Sequence, residues 1–334
     1  VLLRRFLGRG KGVAVRSFPD LNASYAKKAR ELNADYVFVL DKPVISREFV
    51  EEIDKSGLPI VWIDHHDVPS PEFDDFKNFF QYNSAKSGDL KGEPVTYISY
   101  NVSMVKDDMW LAVVGCIADH FLPEFASEFA KLHPEFWRKN VKEPFDAYFG
   151  TEIGKIALAL NFGLKDSTSN VVRLQNFLIS CRNPSDVFAE VPANYSFRKK
   201  YEEVKKKYDS LLSKAKKNVG EKLIFFEYSG ELSISSDLSN KLCYDYPGKF
   251  VAVSYKNGQV ANISLRGKGV KGIFEKILKE IEGTGGGHDD AVGAAPESHP
   301  DRSAAVALGV GHRLADRHDQ IVEFRGRDLT VVGR

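Results

Sequence analysis

The stretch Pro59-Ile60-Val61-Trp62-Ile63-Asp64-His65-His66 decides the fold class of this chain. It is a short apolar run, typical of a buried strand, that ends in one carboxylate and two imidazoles. In open α/β sheets, ligands bind at the edge formed by the carboxyl ends of the parallel strands. Carboxylate and imidazole groups are also common metal ligands. The stretch therefore predicts a metal site at a sheet edge, although an Asp-His-His triplet also occurs by chance in exposed loops.

Two further aspartates end apolar segments in the same way. Asp41 follows the predicted strand 34–40, and Asp119 ends a predicted apolar helix over 110–118. A carboxylate at the end of a buried helix needs a compensating partner, because an unpaired buried charge is costly. A single aspartate is more often a solvated loop residue. Three at corresponding places, beside an imidazole pair, favour a shared site over coincidence.

Length and composition limit the function classes. The chain has 334 residues, 43% of them hydrophobic and 28% charged, which predicts a soluble globular protein with room for two domains. No apolar stretch approaches the roughly twenty residues needed to span a bilayer, so no membrane partner is expected. Cys116, Cys181 and Cys243 are widely spaced, which favours reduced thiols and a cytoplasmic location. The net charge of +1 means that any nucleic-acid contact must depend on local basic patches.

The order of predicted elements indicates an α/β fold with a parallel sheet. Helices and strands alternate along the first third of the chain, which implies right-handed crossovers between parallel strands. A further strand is predicted over Pro94–Tyr100, and apolar residues at helical spacing from 125 to 195 predict helices that pack in a core. The alternating elements are strands at 12–17, 34–41 and 59–63 and helices at 22–33 and 46–56.

A second, smaller α+β unit is predicted after a basic helix. Residues 198–217 contain nine basic and three acidic residues, with apolar residues at helical spacing. This segment is either a solvated linker helix or a helix whose basic face lines a groove for a phosphate backbone. Beyond Gly220, the sequence predicts a strand at 223–226, a hairpin around Asn257-Gly258 and an amphipathic helix over 270–281.

A glycine run follows that amphipathic helix. Gly283-Thr284-Gly285-Gly286-Gly287-His288 allows backbone amides to close around an anion, and a helix expected to start just beyond would add a favourable dipole. A glycine run can also be a flexible linker. The position of the run, fixed between an amphipathic helix and His288, favours an anion site.

Together these motifs resemble the DHH phosphoesterase superfamily, in the RecJ-like branch that carries a DHH-associated C-terminal domain. The resemblance depends on the order and spacing of Asp41, Asp64-His65-His66, Gly115-x-x-Ala118-Asp119, Ser264-Leu265-Arg266 and Gly285-Gly286-Gly287-His288. It implies a parallel-sheet DHH metal-binding domain over 1–195, a basic linker helix over 196–220 and a substrate-binding domain over 221–295, with a cleft between the domains. The tail over 296–334 has no predicted role.

The resemblance also implies roles for individual residues. Asp41 would bridge two Mn²⁺ or Mg²⁺ ions, and His65 and Asp119 would complete the ligands of one ion. His66 would meet the phosphate, while Asp64 would orient the imidazole. The nucleotide phosphate would be held from the other side of the cleft by Ser264, Arg266, Gly285, Gly286, Gly287 and His288. The first motif of the family, a His followed by two Asp at alternate positions, is expected upstream of Val1; otherwise the chain has lost it.

The implied activity is that of an exonuclease. Such an enzyme would hydrolyse single-stranded DNA or RNA in the cytoplasm by two-metal-ion catalysis, with replication or repair proteins as further partners. One alternative is a non-catalytic replication scaffold, like the degenerate relatives in the family. Another is a hydrolase of short oligonucleotides or cyclic dinucleotides. The basic segment 198–217 favours a polymer, because a small ligand needs no extended electrostatic track.

Overall fold

The computed structural model describes residues 1–15, 21–69, 71–86, 92–257, 260–278, 283–288, 290–296, 322–325 and 328–331. The chain divides into two compact units, Val1–Glu203 and Val204–Arg334, each with its own sheet. The fold is α/β with a parallel sheet in the first unit and a mixed sheet in the second, which confirms the predicted fold class. The predicted cleft between the units stays a prediction.

The first unit contains a parallel sheet followed by a layer of helices. The strands β1, β2 and β3 pair in sequence order, and the register places Asp64, the last residue of β2, beside Asn83, the last residue of β3. The elements are α1 Leu2–Leu7, α2 Ala23–Glu31, β1 Val37–Leu40, α3 Arg47–Asp54, β2 Ile60–Asp64, β3 Phe79–Asn83, α4 Val95–Ser103, α5 Met109–Ala118, α6 Ala126–Leu132, α7 Pro144–Gly150, α8 Glu152–Gly163 and α9 Thr168–Ser180.

The two faces of this sheet differ in burial. One face packs its apolar side chains with those of α2 and α3 around the buried indole of Trp62. On the other face, large apolar side chains remain partly exposed at Phe38, Leu40, Phe80 and Tyr82. The site described below lies where β1 and β2 end, and the buried face fixes the position of those ends because a packed core is close to crystal density.

The helices from α4 to α9 form the larger core of this unit. Helix α5 lies at its centre, and all but two of its ten residues are buried. Gly115 of α5 lies against Thr96 of α4, and a side-chain carbon at Gly115 would come within 2.5 Å of that threonine. Glycine at this position therefore allows the two helices to approach closely.

Two predicted strands are absent from the first unit. The prediction of a strand at Pro94–Tyr100 was wrong, since these residues begin α4, where Val95, Ser99 and Tyr100 are buried at helical spacing. Residues 12–15 form no strand either, because Val13 and Val15 are exposed and have no strand partner among the described residues. The rest of that prediction, 16–17, lies outside the described residues. Strand β3 was missed.

Helix α10, Tyr195–Ala215, confirms the predicted basic helix. Several of its lysines form ion pairs along the helix, as in Lys200–Glu203 and Lys205–Asp209. Others, including Lys206 and Lys214, are exposed. The helix buries Val204 and Tyr208 on its apolar side, as the sequence pattern predicts.

The second unit is a five-stranded sheet with one helix on each face. Its strand order is β4-β5-β6-β8-β7, and only β4 and β5 are parallel. The antiparallel β5–β6 pair confirms the predicted hairpin, although its turn at 258–259 lies outside the described residues. The elements are β4 Leu223–Ser229, α11 Ser235–Asp245, β5 Phe250–Asn257, β6 Val260–Arg266, α12 Val270–Leu278, β7 Gly283–His288 and β8 Ala291–Pro296.

The glycine run belongs to an antiparallel hairpin. The helix expected just beyond it does not form, because Ala291–Pro296 is strand β8, which pairs with β7. Gly287 has φ +150°, and a side-chain carbon there would lie 2.2 Å from the carbonyl oxygen of Ala291. The hairpin itself therefore requires glycine at this position, and no helix dipole is available to an anion here.

The remaining described elements are short. Strands β9 Val322–Arg325 and β10 Asp328–Val331 form an antiparallel pair in the tail. Within the described part of the chain, helices are too short or too polar to cross a membrane.

Candidate metal centre

Three elements of the first unit bring four of the predicted residues together. Asp41 follows β1, His65 and His66 follow β2, and Asp119 ends α5. His65 Nε2 lies 3.3 Å from Asp41 Oδ1 and 3.3 Å from Asp119 Oδ2. One ligand atom each from Asp41, His65 and His66 lies within 4.8 Å of the other two. We call these four residues the metal cluster.

The backbone holds Asp41 in an unusual conformation. Its φ is +57°, a left-handed value that non-glycine residues rarely adopt. Its amide donates to the carbonyl oxygen of Ile63 at 3.0 Å, and the next residue, Lys42, accepts a bond from Trp62 Nε1 at 2.8 Å. His120, directly after Asp119, also has φ +57°. Backbone strain of this kind persists where the surrounding structure fixes it, and it is concentrated at functional sites.

His65 is oriented by a backbone carbonyl. Its Nδ1 donates to the carbonyl oxygen of Gly92 at 3.3 Å, so Nε2 is the nitrogen that faces Asp41 and Asp119. Burial alone would lower the pKa of His65, but the hydrogen bond to Asp41 and the two carboxylate charges outweigh burial and raise it to about 9. The protonated imidazole of His65 thus places a positive charge between two carboxylates. A divalent cation bound there would place its charge at the same point.

The two flanking aspartates differ in their electrostatics. Loss of hydration on its protein-facing side, opposed by the charge of His65 and aided by that of Asp41, raises the pKa of Asp119 to about 6. Asp41 is 59% exposed. A cation between the two carboxylates would offset the repulsion by which Asp41 disfavours ionisation of Asp119.

Asp64 lies beneath the cluster and binds His66 twice. It is 1% exposed, and it accepts from the His66 amide at 3.1 Å and from His66 Nδ1 at 2.9 Å. Burial alone would raise the pKa of Asp64, but these bonds from His66 outweigh burial and lower it. With Nδ1 bound to Asp64, the free nitrogen of His66 is Nε2. The hydrogen bond from Asp64 also raises the pKa of His66.

Sequence reasoning missed two supporting residues, Asn83 and Gly92. Asn83 Nδ2 donates to the His66 carbonyl oxygen at 3.0 Å, and its Oδ1 accepts from the amide of Ala85 at 2.9 Å. The sequence signal for Asn83 was its place after the aromatic-rich stretch Phe79-Phe80-Gln81-Tyr82, and the structure pairs it with Asp64 in the sheet. Gly92 acts through its carbonyl group, so its residue type gave no signal.

The geometry fits a divalent cation. Ligands about 2.1 Å from an octahedral ion and at right angles to each other lie roughly 3 Å apart. The separations of 3.3 Å between His65 Nε2 and the oxygens of Asp41 and Asp119 are close to this value. A mixed oxygen and imidazole set without thiolate suits Mn²⁺ or Mg²⁺.

The predicted phosphate-binding residues lie in the second unit. Ser264 and Arg266 are on β6, with Gly293 and Ala291 of β8 directly beside them in the register. Gly286 pairs with Gly293, and His288 pairs with Ala291. The sheet thus places Ser264, Arg266 and the glycine run on neighbouring strands, while the side chain of His288 lies outside the described atoms.

The solved structures that resemble this chain share its fold. A manganese complex of RecJ from Thermus thermophilus has a TM-score of 0.58 and 12% identity, and the alignment covers 94% of this chain and 49% of that one. An exonuclease RecJ bound to manganese has a TM-score of 0.55 and 14% identity, with coverage of 94% and 86%. The chain has the RecJ fold.

These similarities show the fold alone, because the identities are low. The chain spans about half the length of the Thermus RecJ, whose magnesium complex matches with a TM-score of 0.50 and 11% identity over 88% of this chain and 52% of that one. No protein-family model matches the sequence, and no curated protein matches it. The residue roles therefore depend on the site geometry.

Proposed function

We propose that this protein is a divalent-metal-dependent phosphodiesterase that hydrolyses single-stranded DNA or RNA from an end, as a RecJ-like exonuclease. The observation that carries the proposal is the convergence of Asp41, His65 and Asp119 at 3.3 Å separations on the sheet edge. The RecJ structures with the same fold are bound to Mn²⁺ or Mg²⁺, which supports the use of the same ions here.

Each residue of the metal cluster has a distinct task in this proposal. Asp41, His65 and Asp119 would hold the cation, with further ligands for a second ion expected from the family's first motif. A bound divalent ion supplies a hydroxide at neutral pH and stabilises charge on the phosphoryl group. His66 would donate from Nε2 to a phosphate oxygen in its charged form, which the hydrogen bond to Asp64 favours by raising its pKa. Asp64 would keep the His66 ring in that orientation, since it binds both Nδ1 and the backbone amide.

The second unit and the basic helix would bind the substrate. Arg266 stays charged at neutral pH, although burial lowers its pKa to about 10, and Ser264 lies two residues away on the same strand face. Exposed lysines on α10, such as Lys206 and Lys214, would attract the backbone of a polymer. A long single strand is therefore the preferred substrate over a cyclic dinucleotide.

The test is a hydrolysis assay on the full-length protein with end-labelled single strands of DNA and RNA, with Mn²⁺ or EDTA. Loss of an outer-shell partner costs about 10- to 100-fold, so Asp41→Ala, which removes a direct ligand, should reduce the rate by more than about 100-fold. Asp35→Ala is the matched control, because Asp35 is an exposed carboxylate near β1 that pairs with Arg9. It should keep full activity.

The outcomes separate the candidate functions. Equal rates for wild type and Asp41→Ala would overturn the assignment of the metal cluster. A wild-type protein that binds Mn²⁺ yet cleaves no phosphodiester would support the scaffold alternative. Cleavage confined to dinucleotides or cyclic dinucleotides would support the small-substrate alternative.

A further inference from the structure

Helix α11 contacts the two predicted substrate residues of β6 through polar side chains. Ser235 Oγ lies 2.9 Å from Ser264 Oγ, and Asn240 Oδ1 accepts from Arg266 Nε at 2.5 Å. Ser235, Asn240 and Ser264 are all buried. Buried polar groups are kept when they satisfy one another, so these two bonds define the relative position of the helix and the strand. We call Ser235, Asn240, Ser264 and Arg266 the arginine cluster.

The distance between Ser235 and Asn240 along the helix is similar to the distance between Ser264 and Arg266 along the strand. Ser235 and Asn240 are five residues apart on a helix, a rise of roughly 7.5 Å. Ser264 and Arg266 are two residues apart on a strand, a rise of roughly 6.8 Å. One helix thus supplies one partner to each strand residue, and the two contacts together prevent the helix from sliding along the strand.

The Arg266 guanidinium is largely committed to protein partners. Its Nε is bound by Asn240, and its Nη1 donates to the carbonyl oxygens of Leu265 at 2.8 Å and Val292 at 3.4 Å. Among the described residues, Nη2 has no hydrogen-bond partner. Protein acceptors therefore already occupy the Nε and Nη1 positions of the guanidinium. The remaining Nη2 edge can donate to a phosphate oxygen.

Among the described residues, no side chain beyond its chain neighbours lies within 4 Å of a side-chain carbon built on Gly293. Gly293 pairs with Ser264 in the sheet and is exposed. The nearest atom to a side-chain carbon built on Gly293 would be the carbonyl oxygen of Ile263, at 3.9 Å. A phosphate group could therefore approach the backbone beside Ser264 closely.

We propose that Ser235 and Asn240 are positioning residues, which hold Ser264 and direct the free edge of Arg266 towards a substrate phosphate. The proposal rests on the proposed function, in which Ser264 and Arg266 bind the nucleic acid. Neither positioning residue touches the phosphate itself. Their effect on binding must therefore pass through their strand partners, which a double-mutant cycle measures directly.

The experiment measures binding of a labelled oligodeoxythymidine of about ten nucleotides to the full-length protein in EDTA, by fluorescence anisotropy. Asn240→Leu keeps the side-chain size but removes the acceptor, and it should weaken binding about tenfold, since it releases a charge-assisted hydrogen bond. In an Arg266→Met background, the same substitution should change binding less than about twofold. Asn240→Asp keeps the acceptor and should stay within about threefold of wild type.

Helix α11 also provides a matched pair for Ser235. Ser235→Ala should weaken binding about threefold, whereas Ser236→Ala, at the exposed neighbouring residue, should leave binding unchanged. In the Mn²⁺-dependent assay, Asn240→Leu should raise KM and leave kcat within about twofold, because the substitution removes binding made equally in the ground and transition states.

Two results would overturn the positioning role. One is an effect of Asn240→Leu that is equally large with and without Arg266, which would mean that Asn240 acts only on stability. The other is an Arg266→Met variant that binds the oligonucleotide as tightly as wild type. Both outcomes are distinct from failure of the proposed function, which appears as equal hydrolysis by wild type and Asp41→Ala.

Discussion

The metal cluster and the arginine cluster balance opposite charges: carboxylates in the first and a guanidinium in the second. In the arginine cluster, the one cation is surrounded by neutral acceptors from Asn240, Leu265 and Val292. In the metal cluster, carboxylates crowd around His65, and the imidazole proton is the cation between them. In the arginine cluster, acceptors of the fold bind Nε and Nη1 and leave Nη2 for a phosphate, whereas in the metal cluster the proposed ligands Asp41 and Asp119 share one imidazole proton.

The backbone shows the same contrast. Asp41, a member of the metal cluster, and His120, which follows Asp119, both have left-handed φ values of +57°. Ser264 and Arg266 lie in a regular antiparallel ladder with β5 and β8. Strain at a non-glycine residue costs on the order of 1–3 kcal/mol. A ligand that binds only the folded protein offsets such a cost. A regular strand has no such cost to offset.

The largest expected effect is stabilisation of the metal cluster by its ion. At a free Mn²⁺ concentration one hundred times Kd, the free energy of unfolding of the first unit should rise by about 2.7 kcal/mol. Calorimetric unfolding with and without Mn²⁺ measures this shift. His65→Ala should abolish it, while Arg266→Met, in the other cluster, should retain it.

His133→Ala is the control for loss of an imidazole, since His133 also pairs with a carboxylate, Glu135, but lies outside the metal cluster. It should keep the full Mn²⁺ shift. A wild-type protein whose unfolding does not respond to Mn²⁺ would contradict the contrast between the clusters, because the metal cluster would then need no external charge.

The sequence predicted the metal cluster better than its supports. Asp41 and Asp64 end continuous apolar runs, and parallel strands bring such ends to one edge, so their proximity followed from pattern alone. Asn83 was missed because β3 has polar residues among its aromatics and an exposed face, which hides the strand signal. The Gly92 contact depends on a carbonyl group, which every residue has.

Two errors have a common cause in tertiary packing. Val95-Thr96-Tyr97-Ile98 is rich in β-branched and aromatic residues, yet it is helical because Thr96 packs on Gly115 of α5. Conversely, Val13-Ala14-Val15 has strand-like alternation but no neighbouring strand among the described residues. Intrinsic preference is a weak guide where a partner element decides the outcome. The partners of Arg266 on α11 were unpredictable for the same reason.

The next effect in size concerns the buried support of the metal cluster. Asp64→Asn replaces two acceptor oxygens by one oxygen and one NH₂ group, while His66 presents two N–H donors. The NH₂ group cannot accept from either donor, so one of the two bonds that hold the charged His66 ring is lost. The rate of Mn²⁺-dependent hydrolysis of a labelled single strand should therefore fall by about 10- to 100-fold.

The control for Asp64→Asn is Asp108→Asn, a buried carboxylate that pairs with Arg5 in the same unit. It should lower stability without changing the rate of hydrolysis per folded molecule. An unchanged hydrolysis rate in Asp64→Asn would show that the reaction does not depend on the orientation of His66, and the role of Asp64 would then be structural only.

The smallest effect compares the two clusters without any metal. In EDTA, Asp41→Asn should change the free energy of unfolding by less than about 0.5 kcal/mol, because the Asp41 carboxylate is 59% exposed and Asp119 still pairs with His65. Ser264→Ala should cost about 1 kcal/mol, because it leaves the buried hydroxyl of Ser235 without its partner. Urea unfolding of both variants gives the two values. If Asp41→Asn were as destabilising as Ser264→Ala, the metal cluster would be held together by its own pairing. The proposed distinction between a site that needs a cation and one held by hydrogen bonds of the fold would then fail.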